Sequence, residues 1–352
     1  MSSRRILLTG LSTYWGGRLA QALEEFSDVE AIIGVDTTEP TRELHRTEFV
    51  KVSNEHSLIE RIVEAAEIDT VIDTRLVANS LTTSPRLAHE NNVIGTLNIL
   101  AACSAGGSTV RKLVFKSSAH YYGCEQDDPA FFTEEMSRRR RPRTAIEKDI
   151  VEADEAVAEF AGRNPEVMVT ILRCANVIGP DLVTPHIRML ALPLVPMILG
   201  FDPRHQFVYA DDVVHALEHA AIHDVPGVYN VAADGVLLLS EVISLLGKRP
   251  LPLLPPFGTG LIAAPLRRLG LRIPEEMLNQ LRFGRGLDNR GLKATGFEYE
   301  YTTREAVLKL REHLQVNRVA KGLQEPYRYQ HEVESFPRAS PNVRRRPTRI
   351  PR

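Results

Sequence analysis

The sequence has few cysteines: Cys103, Cys124 and Cys174 are the three among 352 residues, and no two of them lie close together. Zinc sites and redox pairs need cysteines at short spacings, and a small disulfide-stabilised domain needs a denser set. The spacing therefore argues against these classes. We expect reduced thiols, with Cys103 and Cys174 in the core.

Long hydrophobic runs are also lacking. The two most apolar later stretches, residues 189–201 and 251–266, are interrupted by prolines, so neither suits a membrane-spanning helix. The segment before the first apolar strand has no signal-peptide core. We expect no integral membrane segment and a cytoplasmic location, and either stretch can still contact a bilayer surface or an apolar substrate.

An excess of charge of one sign is lacking as well, since 43 basic and 45 acidic residues leave a formal net charge of -2. This balance offers no general field to nucleic acid, so we expect no nucleic-acid partner. Basic residues cluster in residues 137–143, with five arginines, and in residues 338–352, with six. We interpret the first cluster as a solvated loop and the second as a disordered tail.

The sequence does contain a strand, a glycine turn, a helix and a second strand within residues 4–36. An apolar run ends at Gly10, apolar residues at helical spacing follow Gly16, and a second apolar run ends at Asp36. A glycine turn that leads into a helix N-terminus suits a pyrophosphate. Asp36 can accept hydrogen bonds from ribose hydroxyls and would repel a 2′-phosphate, so NAD is favoured over NADP.

The glycine turn lacks the middle glycine of the usual dinucleotide-binding fingerprint, because it reads GLSTYWG between Gly10 and Gly16. We assign Thr13, Tyr14 and Trp15 to the cofactor turn together with the two glycines. The alternative is that the glycines provide only a turn and a close contact between helix and strand.

Apolar strands and amphipathic helices alternate along the first half of the chain, which predicts a parallel sheet. We expect an α/β fold with a Rossmann-type doubly wound parallel sheet in residues 4–179. Residues 180–313 are expected to form a smaller mixed substrate-capping region that returns strands to the main sheet, and residues 314–352 a basic tail. Ligands of such sheets bind at the carboxyl ends of the strands.

Several later segments occur in the order of one family's motifs. They are Asn92 with Gly95, SSAHYYG at 117–123, LRCANVIGP at 172–180, FVYADDVV at 207–214 and GVYNV at 227–231. Over about residues 4–313 the chain resembles the extended short-chain dehydrogenase/reductase family, the NAD-dependent epimerase/dehydratases, which include UDP-glucose 4-epimerases. The resemblance implies NAD as cofactor and a small-molecule substrate such as a nucleotide-linked sugar.

In that family a serine, a tyrosine and a lysine four residues after the tyrosine carry the chemistry. The resemblance assigns the serine and lysine roles to Ser118 and Lys148, but Thr144 stands at the tyrosine position. His120 is the candidate substitute, since period-two geometry places it on the side of Ser118 and imidazole titrates near neutral pH. Tyr121 is a weaker substitute. Alternatively, Ser118 caps the following turn and His120 is an ordinary polar residue.

The resemblance also implies further cofactor-binding residues, Arg75, Asn92 and Lys148, the last through hydrogen bonds to the nicotinamide ribose. Arg75 replaces a small residue after the fourth strand, so it either strengthens anion binding or partly fills the site. Substrate contacts are implied for Asn176 and, as a rough match to a phosphate-binding basic residue, for Arg204 and His205.

No metal is predicted. Asp211 and Asp212 form an acidic pair without a third ligand, and capping of the following helix explains them.

Two functions remain open from the sequence. The first is an atypical NAD-dependent oxidoreductase or isomerase that acts by hydride transfer on a nucleotide-linked sugar or a similar hydroxylated substrate. The second is a structural or sensor protein that binds NAD(P) without redox chemistry. Ser118 and Lys148 favour the first function and Thr144 favours the second, and a homodimer is compatible with either.

Overall fold

The computed structural model describes residues 4–52, 56–81, 83–254 and 275–316. Its strands, in chain order, are Arg4–Thr9 (β1), Val29–Asp36 (β2), Thr47–Lys51 (β3), Thr70–Asp73 (β4), Lys112–Ser118 (β5), Phe131–Phe132 (β6), Met168–Cys174 (β7), Asn176–Ile178 (β8), Leu194–Ile198 (β9), Arg204–His205 (β10), Phe207–Tyr209 (β11), Gly227–Val231 (β12), Leu237–Leu238 (β13), Arg249–Leu253 (β14) and Gly284–Leu287 (β15).

Helices connect most of these strands. The described α-helices are Tyr14–Glu24 (α1), His56–Ala65 (α2), Pro85–His89 (α3), Gly95–Cys103 (α4), Ala145–Arg163 (α5), Pro185–Leu190 (α6), Ala210–Ile222 (α7), Leu239–Leu245 (α8), Glu275–Leu278 (α9), Gln280–Phe283 (α10), Arg290–Ala294 (α11) and Thr303–Val316 (α12). None of them is long and apolar enough to cross a membrane.

The main sheet has seven parallel strands in the order β12-β7-β5-β4-β1-β2-β3. The strand order reverses between β1 and β4, so the carboxyl ends of these strands form the crevice where ligands bind in doubly wound folds. The predicted α/β Rossmann-type class is confirmed. Smaller sheets, of which β13-β10-β15-β6 is the largest described, are formed mainly by strands that follow residue 180. They also include β6 and β8 from the first part of the chain.

Helices cover both faces of the main sheet, which explains why its central strands are apolar on both sides. On one face Ile62 of α2, Leu100 of α4 and Ile150 of α5 belong to one buried cluster. On the other face Leu19 of α1 and Val213 of α7 belong to a second cluster. All three cysteines are buried free thiols, as predicted for Cys103 and Cys174.

The helical segment that contains Asn92 is interrupted. A π-helical turn at Glu90–Ile94 separates α3 from α4. Within this turn the Asn92 amide is fully buried and exchanges two hydrogen bonds with the backbone of Val77, at 2.7 and 2.8 Å. The π-helical turn thus positions Asn92 to hold the loop that follows β4. Helical periodicity in the sequence does not reveal these hydrogen bonds. The first three residues of the predicted tail, 314–316, belong to α12. The rest of the tail, from residue 317 onward, lies outside the described residues.

Candidate functional site

The turn between β1 and α1 has the geometry of a phosphate cradle. Gly10 has a φ of +82°, and a Cβ at Gly16 would collide with the carbonyl oxygen of Gly10. Thr13, at the position of the missing glycine, caps α1 by accepting the Gly16 N–H at 3.1 Å and donates to the Gly10 carbonyl at 2.7 Å. Tyr14 and Trp15 form the first turn, where backbone N–H groups have no intrahelical acceptor.

Asp36, at the end of β2, faces this turn. Its Oδ2 accepts hydrogen bonds from the Ser12 N–H at 2.9 Å and the Ser12 hydroxyl at 2.6 Å, and its Oδ1 accepts the Thr37 N–H at 2.7 Å. The carboxylate therefore lies beside the glycine turn and stabilises it through Ser12. This is the position where a ribose is expected to bind.

Arg75 lies over the glycine turn. Its Cγ would be 2.7 Å from a Cβ at Gly10, and its Nη1 would be 2.7 Å from a Cβ at Gly95. The guanidinium is held by Asp73, with Nε to Oδ1 at 3.0 Å and Nη2 to Oδ2 at 3.1 Å. The aliphatic part of Arg75 thus occupies space above Gly10, and its charge stays paired at the edge of the crevice.

Ser118 and His120 lie together at the end of β5. The Ser118 hydroxyl accepts the His120 N–H at 3.3 Å and caps a 3₁₀ turn at Ala119–Tyr121. The period-two argument for His120 was wrong, because the strand ends at Ser118 and the turn redirects the chain. His120 is half-buried, and burial followed by the charges of Arg285 and Arg138 lowers its pKa well below the ordinary value.

The arginine-rich loop is not a solvated face throughout, which corrects the sequence interpretation. Arg138 is buried because it donates to the His120 carbonyl at 3.0 Å and to the Glu147 carboxylate at 3.0 Å. Arg143 pairs with Glu125 at 2.6 Å. The loop therefore closes over the turn that carries His120, and only long-range contacts reveal this.

Thr144 and Lys148 have different surroundings from those the resemblance implies. Thr144 is the N-cap of α5 and forms a capping box with Glu147. Lys148 is exposed, about 200° around the helix from the buried Ile146, and the described chain provides no recorded partner for its ammonium group. The structure thus brings Ser118 and His120 together but records no contact between Lys148 and either of them.

Of the residues with implied substrate roles, Asn176 starts β8 and is 8% exposed. Arg204 and His205 alternate along β10, so Arg204 faces outward and His205 inward. The His205 ring is buried, stacks on Phe207 and meets the His186 ring at a centroid distance of 5.7 Å. Arg204 and His205 therefore do not face one common site.

The acidic pair does not cap α7, contrary to the expectation. Tyr209 is the N-cap residue and its side chain makes no cap bond. Asp211 pairs with Arg18 at 2.6 Å, and Asp212 accepts the N–H groups of Glu300 and Tyr301 at 2.7 and 3.3 Å. Among the residues that the structure describes, no three potential ligands are grouped to hold a metal.

Lys116 is a feature that the sequence reasoning missed. Its side chain is buried within β5, two residues before Ser118, and its Nζ lies 4.9 Å from the ring centroid of Trp15. Burial lowers the pKa of Lys116, and the nearby Cys174 and Asp73 partly oppose that shift. A lysine within an apolar strand was the available signal, since such a cation is seldom buried without a function or a partner.

Comparison with known proteins places this site in a family. Residues 6–232 match the NAD dependent epimerase/dehydratase family. The chain therefore belongs to that family, and it is of the NAD-dependent epimerase/dehydratase enzyme type. The resemblance inferred from the motifs is confirmed.

A sequence relative is an uncharacterized protein of Mycobacterium tuberculosis, 35% identical over 309 residues that cover 86% of this chain and 81% of the relative. A dTDP-glucose 4,6-dehydratase from Bacillus anthracis, solved with NAD, has a TM-score of 0.67 at 18% identity, covering 90% of this chain and 97% of the other. A UDP-glucose 4-epimerase from Thermotoga maritima, solved with UDP-glucose, has a TM-score of 0.66 at 22% identity, covering 89% and 99%. At these identities the structural likenesses establish the fold.

Proposed function

We propose that this chain binds NAD at the turn between β1 and α1 and catalyses hydride transfer on a nucleotide-linked sugar or a similar hydroxylated substrate. Gly10, Gly16 and the first turn of α1 would hold the pyrophosphate, and Asp36 would receive the ribose hydroxyls. NAD, when bound, supplies the acceptor and donor of hydride. Solved structures of this fold with NAD or with UDP-glucose support both ligand classes.

The observation that carries the proposal is the position of His120, whose backbone N–H donates to the Ser118 hydroxyl at the carboxyl end of β5. Burial and two neighbouring guanidinium groups lower its pKa, so the imidazole is neutral at neutral pH and has a free lone pair. When a substrate carbon loses hydride, its hydroxyl proton passes to this imidazole, and the reverse step returns the proton. The Ser118 hydroxyl accepts a hydrogen bond from the backbone N–H of His120. It therefore keeps its own proton for a hydrogen bond to the substrate oxygen.

A second candidate is a protein that binds NAD without redox chemistry. Two observations favour it: Thr144 is engaged as a helix cap, and Lys148 is exposed on the far side of α5 from the buried face. Neither observation bears on the glycine turn, so dinucleotide binding is common to both candidates.

The experiment that separates the candidates starts from the purified full chain. Mass spectrometry of the denatured protein is expected to detect bound NAD. Addition of a panel of nucleotide sugars is then expected to change absorbance at the reduced-nicotinamide band. Bound NAD without any such change or product would favour the binding protein, and absence of dinucleotide binding would contradict both candidates.

A further inference from the structure

Arg285 is a buried cation without a carboxylate partner. It lies in β15 at 6% exposure, and its recorded hydrogen bond runs from Nη1 to the Gly123 carbonyl at 3.1 Å. No acidic side chain of the described ranges forms an ion pair with it. Burial lowers its pKa, and the more distant charges of Cys124, Glu147 and Asp128 only partly oppose that shift. A buried charge that no ion pair compensates directly is costly, so a folded chain retains one where a further group can pair with it.

Three more polar side chains around Arg285 are buried with unused hydrogen-bonding atoms. His186 of α6, His205 of β10 and Gln280 of α10 are 5%, 1% and 1% exposed. The Nε2 atom of His205 has no hydrogen-bond partner in the described chain. The Nε2 atom of His186 and the amide of Gln280 have none beyond a contact with each other. We call these four residues the Arg285 chamber, and their buried polar atoms could form hydrogen bonds with a polar ligand.

The two histidines are neutral, so Arg285 is the permanent charge of the chamber. Burial lowers the pKa of His186, and the charges of His205, His120 and Arg285 lower it further. Burial lowers the pKa of His205 to about 4, with Asp202 opposing and Arg285 adding to the shift. The chamber therefore presents one cation and several neutral hydrogen-bonding groups.

The chamber adjoins the turn that carries the proposed base. Gly123, which accepts from Arg285, follows His120 by three residues, and Arg285 contributes to the lowered pKa of His120. A group bound by Arg285 therefore lies close to the reacting position.

We infer that the Arg285 chamber binds a compact oxyanion, a carboxylate or a phosphoryl group, carried by the substrate near its reacting carbon. The guanidinium has five N–H donors in a planar fork that matches such groups, and one recorded bond leaves most of them available. A single negative group would neutralise Arg285, and the histidines and Gln280 would bond its remaining oxygens. A neutral ligand would leave the charge uncompensated. The placement beside the reacting carbon rests on the proposed function, whereas the binding of an oxyanion does not.

The test is a thermal-shift and calorimetric titration of the full chain without added NAD, using inorganic phosphate, glucose 6-phosphate, glucuronate and glucose. Phosphate and at least one of the two acidic sugars are expected to raise the melting temperature, and glucose is not. Glucuronate against glucose 6-phosphate then distinguishes a carboxylate from a phosphoryl site. Absence of any shift with all three anions would overturn the inference.

Arg285→Met, of similar length but uncharged, is expected to weaken anion binding at least about tenfold, a difference of 1.4 kcal/mol. It is also expected to raise the melting temperature of the unliganded chain, because it removes an uncompensated charge. A purely structural Arg285 would instead lower the melting temperature on substitution. Arg290→Met is the matched control, since Arg290 is an exposed arginine paired with Asp288.

If Arg285→Met does not fold, Arg285→Lys keeps the charge and loses the fork, so anion binding is expected to weaken while the chain remains folded. Unchanged anion binding in both Arg285 variants would contradict the inference. NAD binding is measured in a separate titration of the same samples. Anion binding without NAD binding would support the inference about the Arg285 chamber and contradict the proposed function. NAD binding without anion binding would contradict the inference and agree with the proposed function.

Discussion

Thr144 and Glu147 cap each other at the start of α5. The Glu147 N–H donates to the Thr144 hydroxyl at 3.3 Å, and the Thr144 N–H donates to the Glu147 carboxylate at 3.3 Å. Glu147 also binds Arg138, which reaches the carbonyl of His120. Thr144, which the motif resemblance places at the tyrosine position, therefore belongs to the structure that supports the turn carrying His120.

Replacement of this cap has a defined cost. Thr144→Tyr and Thr144→Ala are each expected to destabilise the chain by about 1 kcal/mol, because neither side chain accepts the Glu147 N–H as well as a threonine hydroxyl. Thr144→Ser keeps the cap and is the control. Denaturant unfolding measures the difference, and equal stability of all four proteins would contradict the capping role.

The same variants test the hypothesis that Thr144 replaces a catalytic tyrosine. Lys148 follows position 144 by four residues, so Thr144→Tyr places a phenol within reach of an ammonium group on one helix face. Hydride transfer that appears in Thr144→Tyr and not in Thr144→Ala, with none in wild type, would show a site that lost its chemistry and kept its geometry.

Asp36 is predicted to select NAD. Asp36→Ala is expected to weaken NAD binding and to reduce the difference in affinity between NAD and NADP, because it removes the carboxylate that repels a 2′-phosphate. Ser12→Ala keeps that carboxylate while removing one of its hydrogen bonds, so its effect should be smaller. Trp15, the sole tryptophan, lies in the cofactor turn and reports both titrations by fluorescence. Equal affinity of wild type for NAD and NADP would show that the ribose assignment is wrong.

A buried ion pair anchors the strand that precedes β8. Arg173 binds Asp154 through Nη2 at 2.6 Å and Nε at 3.1 Å, and Asp154 is fully buried. Arg173→Met is expected to cost about 3–5 kcal/mol because it leaves the carboxylate unpaired. Arg173→Met combined with Asp154→Leu should recover much of the loss in denaturant unfolding. A single variant as stable as wild type would contradict this account.

The buried histidines predict loss of stability in acid. The folded pKa of His205 is about 4, below its ordinary value of 6.5, so between these values the unfolded chain takes up a proton that the folded chain does not. The contribution of His205 to the free energy of unfolding is therefore complete above pH 6.5. It falls as the pH is lowered towards 4, by up to about 1.4 kcal/mol per pH unit. Asp212, whose pKa is raised to about 6, opposes the trend because its contribution grows as the pH falls.

His205→Gln removes one titrating group and leaves Asp212 in place. The slope of unfolding free energy against pH between 6.5 and 4 should therefore be smaller in this variant than in wild type. Chemical denaturation at several pH values gives both slopes, and identical slopes would contradict the neutral state of His205 in the fold.

The sequence predicted the parts of the molecule that depend on local pattern. The strand from Arg4 to Thr9, the glycine turn and the acid at Asp36 could be read because a strand, a turn and a helix each have a short period or a marker residue. The alternation of such units was enough to predict the doubly wound sheet.

The rest depends on contacts between residues far apart in the chain. Arg138 looked solvated by composition, and its burial depends on Glu147 and the turn at His120. The Arg285 chamber draws residues from four elements between residues 186 and 285, and the motif resemblance pointed to only one of them, His205. His120 lies in the 3₁₀ turn that follows Ser118, so the alternation of side chains along a strand does not apply to it. That alternation holds only as far as the strand is paired in the sheet.

The most direct test of the proposed chemistry compares wild type with His120→Gln, which keeps a polar side chain and loses the proton acceptor. Both proteins are loaded with NAD, their NAD affinities are measured by Trp15 fluorescence, and absorbance at the reduced-nicotinamide band is followed with an active substrate from the panel. The account predicts similar NAD affinity in the two proteins and hydride transfer in wild type that falls by at least about 100-fold in His120→Gln. Hydride transfer of equal rate in both proteins would contradict the role of His120.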